Sequence, residues 1–151
     1  MRHIVILVLI GAAQCAVAKD HTTELEQLFR SYAAAWSPEA SINEIVEEYW
    51  HTKGTMFGAE SIVQLEDRDA IVNLLSSVMQ PVIEAGWQGT DLVGFAVCSM
   101  REGMALVGME YQRNFRDGRS TRDGAIYVVI KRDGRWWITA LMGSDSAAIS
   151  C

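Results

Sequence analysis

This chain of 151 residues predicts an α+β fold, with helices packed on one face of a strongly bent antiparallel sheet. Three observations carry that expectation. Turn signals of one design recur in the second half, at Arg101-Glu102-Gly103, Arg116-Asp117-Gly118-Arg119 and Arg132-Asp133-Gly134-Arg135. Each lies between two apolar runs, and Gly accepts the positive φ that a tight hairpin needs. The first half instead repeats its apolar residues at helical spacing. Half of all residues are apolar, enough for a core in a single domain.

The elements follow in order. Thr23-x-x-Glu26 reads as a capping box, and Leu25, Leu28, Phe29, Tyr32, Ala33 and Trp36 then form one apolar helix face that Ser37-Pro38 stops. Ser41-x-x-Glu44 opens a shorter helix with Ile45, Val46, Tyr49 and Trp50 on one side. Residues 55–57 and 61–65 read as short strands separated by Gly58. Asp67 caps a third helix carrying Ile71, Leu74, Leu75 and Val78, which Pro81 kinks late and Gly86 ends. Strands at 91–100, 104–115, 121–132 and 135–144 complete a four-stranded meander.

The N-terminus stands outside this domain. Arg2 and His3 precede the apolar run 4–13, and Ala16-Val17-Ala18 offers a small-x-small cleavage site. Residues 1–18 are thus expected to be a cleaved signal peptide, leaving one domain at 19–151 in the periplasm or outside the cell. An uncleaved membrane anchor is the competing reading, but the apolar run is short for a span. The full chain carries a formal charge of −6, and loss of Arg2 makes the mature protein one unit more acidic. That balance, without a basic stripe, argues against nucleic acid and anionic membranes as partners. Cys98 and Cys151 survive cleavage; they form one disulfide, or remain a buried apolar side chain and a loose end.

If the Asp-Gly turns are two-residue loops, they also fix the register. Phe95, Glu110, Ala125 and Met142 then form one row, with Val97, Gly108, Tyr127 and Ala140 in the next. Val93, Gln112, Asp123 and Ser144 flank Glu110 on its other side, and Trp136 and Ile138 share this face. The opposite face carries Val107, Met109, Tyr111, Arg113, Ile126, Val128, Ile130, Trp137 and Leu141. Both faces are apolar at their centre, so something besides the helices must cover the second one. A β-bulge would move part of the assignment to the other face.

Chemistry is sparsely marked. The mature chain has two histidines, His21 and His51, and no Cys-x-x-Cys, His-Glu-x-x-His, phosphate loop or Gly-x-Ser-x-Gly, so no metal and no cofactor is expected. His51 with Cys98 would make a thiol nucleophile and base, although both residues suit structural roles. Glu110 on an apolar face beside Phe95, Tyr127 and Trp136 would be desolvated, its pKa raised toward that of a general acid or base. The plainer alternative pairs it with Arg113 or Arg122. The aromatics Tyr32, Trp36, Tyr49, Trp50 and Phe57 either line a cavity or fill the core.

The helix ending in Tyr32-x-x-x-Trp36, the segment from Asp67 to Gly86, the run from Ala105 to Gly118 and the closing Asp133-Gly134-Arg135-Trp136-Trp137-Ile138 together resemble the nuclear-transport-factor-2-like (SnoaL-like, ketosteroid-isomerase-like) superfamily. The resemblance covers nearly the whole mature chain and is closest to branches of unknown function. It implies a cone-shaped sheet wrapped on three helices, a pocket between them, and homodimers through the outer sheet face. That superfamily holds isomerases, cyclases, dehydratases and epoxide hydrolases alongside binders without activity.

Two functions therefore stand side by side. One is an exported, dimeric, non-catalytic protein that holds a small apolar molecule among Tyr32, Trp36, Trp50, Phe57, Phe95, Glu110, Tyr127 and Trp136. The other is a cofactor-independent isomerase, dehydratase or cyclase, with Glu110 as acid or base and Tyr127 as hydrogen-bond donor. An interaction module whose pocket is filled by side chains is a further alternative.

Overall fold

Three helices and a six-stranded sheet make up the described residues, 21–144, of the structure, a computed structural model. The signal-peptide expectation and Cys151 lie outside those residues. α1 (Thr22–Ala35) and α2 (Ile42–Tyr49) lead into β1 (Trp50–Phe57) and β2 (Ile62–Leu65). After α3 (Arg68–Glu84) come β3 (Trp87–Arg101), β4 (Met104–Phe115), β5 (Ser120–Arg132) and β6 (Arg135–Ser144).

Helix starts follow local hydrogen-bonding chemistry. Asp67 accepts from the Ala70 amide at 2.8 Å and Ser41 from the Glu44 amide at 3.4 Å, so two exposed N–H groups gain side-chain partners. The expected capping box at Thr23 does not form. α1 starts two residues earlier, with His21 as N-cap and the His21 ring bonded to the Glu24 carboxylate at 3.0 Å. Gly86, at φ +85°, ends α3 through its amide on the Ile83 carbonyl.

Strand order is β2-β1-β6-β5-β4-β3. The meander β3 to β6 is antiparallel as expected, but β1 joins β6 in parallel, so the bent, unclosed sheet is mixed. Trp50 is the first residue of β1 rather than the last of a helix. Its ring packs over Gly54, where a Cβ would come within 3.4 Å of it. The core lies between the helices and one sheet face: Leu25, Phe29, Ile45, Val46 and Ile71 meet Val107, Tyr127, Val129 and Ile138.

The register departs from the sequence expectation at three places. Between β3 and β4 a shift between Ser99 and Arg101 sets Phe95 opposite Met109 and Val97 opposite Val107, where Glu110 and Gly108 were expected. Asp133 and Gly134 do form a two-residue turn, both at positive φ (52° and 78°), and Arg132 faces Arg135. The Asp117-Gly118 turn has three residues: Phe115 bonds Arg119, and only Gly118 takes positive φ. Glu110 therefore faces Gly124 and Met109 faces Ala125. In β6 a bulge at Thr139 moves Leu141 opposite Tyr127, where Ala140 was expected. Because strand side chains alternate, each one-residue shift reverses the faces of every residue beyond it. Val107, Met109, Tyr111 and Leu141 thus join the inner face, and Gly108, Glu110, Gln112, Ala140 and Met142 the outer one.

Candidate functional site

A partly enclosed cavity of about 160 Å³ lies between α1, α3 and the inner sheet face. Tyr32 projects into it from the last turn of α1 and Trp36 from the C-cap of that helix, their rings edge to face at 5.9 Å. Leu75, Val78 and Met79 of α3 form the opposite wall. Met109, Tyr111 and Arg113 enter from alternate positions of β4, as the two-residue period of a strand requires. The space itself comes from the row Met109, Ala125, Gly143, in which two of three residues are small.

One end of this apolar cavity is polar. The Arg113 guanidinium donates from Nη1 to Asp123 Oδ2 at 2.6 Å and from Nη2 to the Tyr111 hydroxyl at 3.2 Å. It also sits 4.8 Å from the centre of the Tyr111 ring. Tyr111 faces Asp123 across the ladder, so Arg113 reaches the carboxylate diagonally. The Arg113 side chain is 18 % exposed, whereas Asp123 is 42 % exposed. Burial pushes the Tyr32 hydroxyl up to about 12, offset in part by the Trp50, Trp36 and Tyr127 side chains. Desolvation likewise raises Tyr127 well above its ordinary value, and Tyr111 above it. All three phenols are neutral near pH 7. Because the Tyr111 oxygen accepts from Arg113, its own proton is free to be donated elsewhere.

Of the residues expected to form the site, Tyr32, Trp36 and Tyr127 come together around the cavity. The others go elsewhere. Trp50 is fully buried in the core behind Tyr32, and Phe95 packs on Phe29 with ring centres 6.1 Å apart. Trp136 lies under the start of α1, edge to face with His21 at 5.2 Å. Phe57 ends β1 and is 37 % exposed. Glu110 stands on the outer face, where its carboxylate lies 3.6 Å from Arg122 and not beside Phe95 and Tyr127. The register shift between Ser99 and Arg101 separates it from Phe95, and the three-residue turn separates it from Tyr127. The same slip hid Met109, Tyr111 and Arg113, which only a three-residue reading of Arg116-Asp117-Gly118 would have turned inward.

The thiol–imidazole pair does not exist. Cys98 is disulfide-bonded, and β6, β5 and β4 stand between its strand and the β1 strand of His51. Among the described residues no group of three or more His, Cys, Asp or Glu could hold a metal ion.

Residues 23–146 match the family described as NTF2-like protein (DUF6841). The chain belongs to that family. This NTF2-like protein matches no curated protein in sequence. Solved structures show the same fold at low identity. An NTF2-like protein of unknown function from Shewanella oneidensis is 17 % identical, with TM-score 0.63 over 82 % of this chain and 98 % of the other. A protein with a cystatin-like fold from Caulobacter vibrioides is 19 % identical, with TM-score 0.62 over 83 % and 89 %. The association domain of C. elegans CaMKII is 15 % identical, with TM-score 0.57 over 81 % and 93 %. These likenesses concern the fold, and the NTF2-like cavity has to be read from its own residues.

Proposed function

We propose that this NTF2-like protein binds a small, largely apolar molecule without transforming it. The observation that carries the reading is the cavity between Tyr32, Met79, Met109 and Tyr127, apolar except for the Tyr111–Arg113 end. Its size suits one aromatic ring or a short branched chain, since an apolar cavity of about 150 Å³ accepts benzene and drug-sized sites start near 300 Å³. The free proton of Tyr111 favours a ligand with one hydrogen-bond acceptor, such as a carbonyl or ether oxygen, at that end. Among the described residues no carboxylate borders the cavity, and Asp123 is committed to Arg113, which supports binding over proton transfer.

Native mass spectrometry of the protein purified from its own host tests this. A bound adduct of single-ring size, lost in Ala125→Phe, is the expected result. An unliganded mass that stays unchanged after soaking with a panel of small aromatic ketones and ethers would overturn the reading.

Export and dimerisation belong to the same proposal. The start Arg2-His3, the apolar run 4–13 and Ala16-Val17-Ala18 support secretion with cleavage after Ala18. N-terminal sequencing of protein secreted by a bacterial host should give Lys19, and a cytoplasmic protein starting at Met1 would refute this. Ile130 and Trp137 face each other on the outer side, with Val128 nearby, and form an apolar patch that suits an isologous homodimer.

A further inference from the structure

Among the described residues, Arg113 is the only charged side chain that borders the cavity. Its partner Asp123 accepts from Nη1 at 2.6 Å but does not border that space. The pair therefore turns its positive end inward. Resting on the reading that the cavity holds a small ring, we infer that the ligand is an aromatic monocarboxylate. Its ring lies among Tyr32, Leu75 and Met79, and its carboxylate on Arg113 and Tyr111.

The donors at the polar end match a carboxylate. A guanidinium offers five N–H groups in a planar fork. Asp123 takes one from Nη1 and the Tyr111 hydroxyl takes one from Nη2, so further N–H groups remain to be donated. Nη2 and the Tyr111 oxygen lie 3.2 Å apart, and each keeps a proton to give. Two donors side by side suit the two oxygens of one carboxylate. A ketone or ether oxygen would use only part of that set. Thr90 faces Arg113 across the β3–β4 ladder and also borders the cavity, which brings a hydroxyl to the same end.

The fork is in place before a ligand arrives. Asp123, the Tyr111 hydroxyl and the Tyr111 ring, whose centre is 4.8 Å from the guanidinium carbon, all hold it. Little side-chain freedom is then lost on binding. Burial adds strength: the Arg113 side chain is mostly buried, and a charge pair gains more there than at an open surface. Asp123 is more exposed, so the polar end lies toward water and an incoming carboxylate keeps part of its hydration. The reverse orientation would strand a charge among Leu75 and Met79, where no donor meets it.

Calorimetric titration of the full chain at neutral pH with sodium benzoate and with benzamide tests the inference, because the two ligands differ in charge and hardly in size. Benzoate should bind at least about tenfold more tightly. Arg113→Met should cost benzoate far more affinity than benzamide. Asp123→Asn, which frees Nη1, should tighten benzoate several-fold, and Ala125→Phe should remove both ligands. Equal or reversed affinities, each lost in Ala125→Phe, overturn the carboxylate and leave the pocket reading standing. Benzoate binding that survives Ala125→Phe puts the anion elsewhere and also overturns the inference. No binding of benzoate, benzamide or acetophenone overturns both readings. Should Arg113→Met fail to fold, Asp123→Asn decides: unchanged or weaker benzoate binding removes the role of Arg113.

Discussion

The rings of Tyr32 and Tyr127 meet edge to face, 5.8 Å apart at 85°, and join α1 to β5 at the wall of the cavity. Phe29 completes the contact, 5.0 Å from Tyr127 and 5.9 Å from Tyr32. Such pairs add about 0.5–1.5 kcal/mol beyond the area they bury. The same burial that fixes the rings keeps their hydroxyls protonated.

Alkaline stability follows from that. Each of the four tyrosines has a raised pKa, with Tyr32 at about 12 against 10.0 when unfolded. Between pH 10 and 12 the unfolded chain releases phenolic protons that the folded chain keeps, so stability falls as pH rises through that window. Absorbance at 295 nm should rise together with the loss of far-ultraviolet circular dichroism. Independent titration of all four phenols near pH 10 in the folded protein would contradict the burial.

Acid stability depends on a contact between α1 and β5. Lys131 donates to both oxygens of Glu24, at 2.7 and 2.9 Å, and holds that carboxyl at about 2, with the Trp136 indole and His21 assisting. The folded pKa is depressed from 4.5, so the stability it contributes is complete above pH 4.5 and is lost as pH falls toward 2. Glu24 is 45 % exposed, and salt should weaken the effect. Thermal melts of Lys131→Met should show a smaller fall between pH 5 and 2.5 than wild type; an equal fall would refute the assignment.

Glu110→Gln should do almost nothing. The carboxylate is on the outer face and its partner Arg122 is 66 % exposed, an arrangement worth about 0–1 kcal/mol. Melting temperature and ligand affinity should match wild type within error. A large change in affinity would mean that the cavity lies on the other face.

Trp137→Glu should disrupt the proposed dimer. The Arg135 guanidinium covers one side of the indole at 4.3 Å, and Ile130 faces Trp137 across the ladder. Sedimentation should give twice the chain mass for wild type and one chain mass for the variant. A monomeric wild type at micromolar concentration would remove the interface.

Much of this was legible before the fold was seen. The meander, the α3 cap at Asp67 and the helix face carrying Tyr32 and Trp36 follow from spacing and turn chemistry. What the sequence hid turns on single residues. Asp117-Gly118 suits a two- or a three-residue loop, because both need a positive φ at Gly and the two-residue turn also needs one at Asp. Asp133 takes that strain and Asp117 does not. That choice, with the bulge at Thr139, moved Glu110 outward and Tyr111, Arg113 and Leu141 inward. Trp50 misled for another reason: its spacing fits the α2 face, yet the chain turns extended at that residue so that its ring can cover Gly54.

A small ring bound in the proposed cavity would lie against methionine methyl groups. Of the seven methionines, Met56, Met79 and Met109 border it, whereas Met100, Met104 and Met142 do not. Methyl-labelled methionine spectra recorded while acetophenone is titrated in test whether the cavity binds such a ring. Saturable shifts at Met56, Met79 and Met109, silence at the other three, and loss of the shifts in Ala125→Phe are expected. No saturable shift with any single-ring ketone or ether, or equal shifts at Met100 and Met142, would contradict such binding.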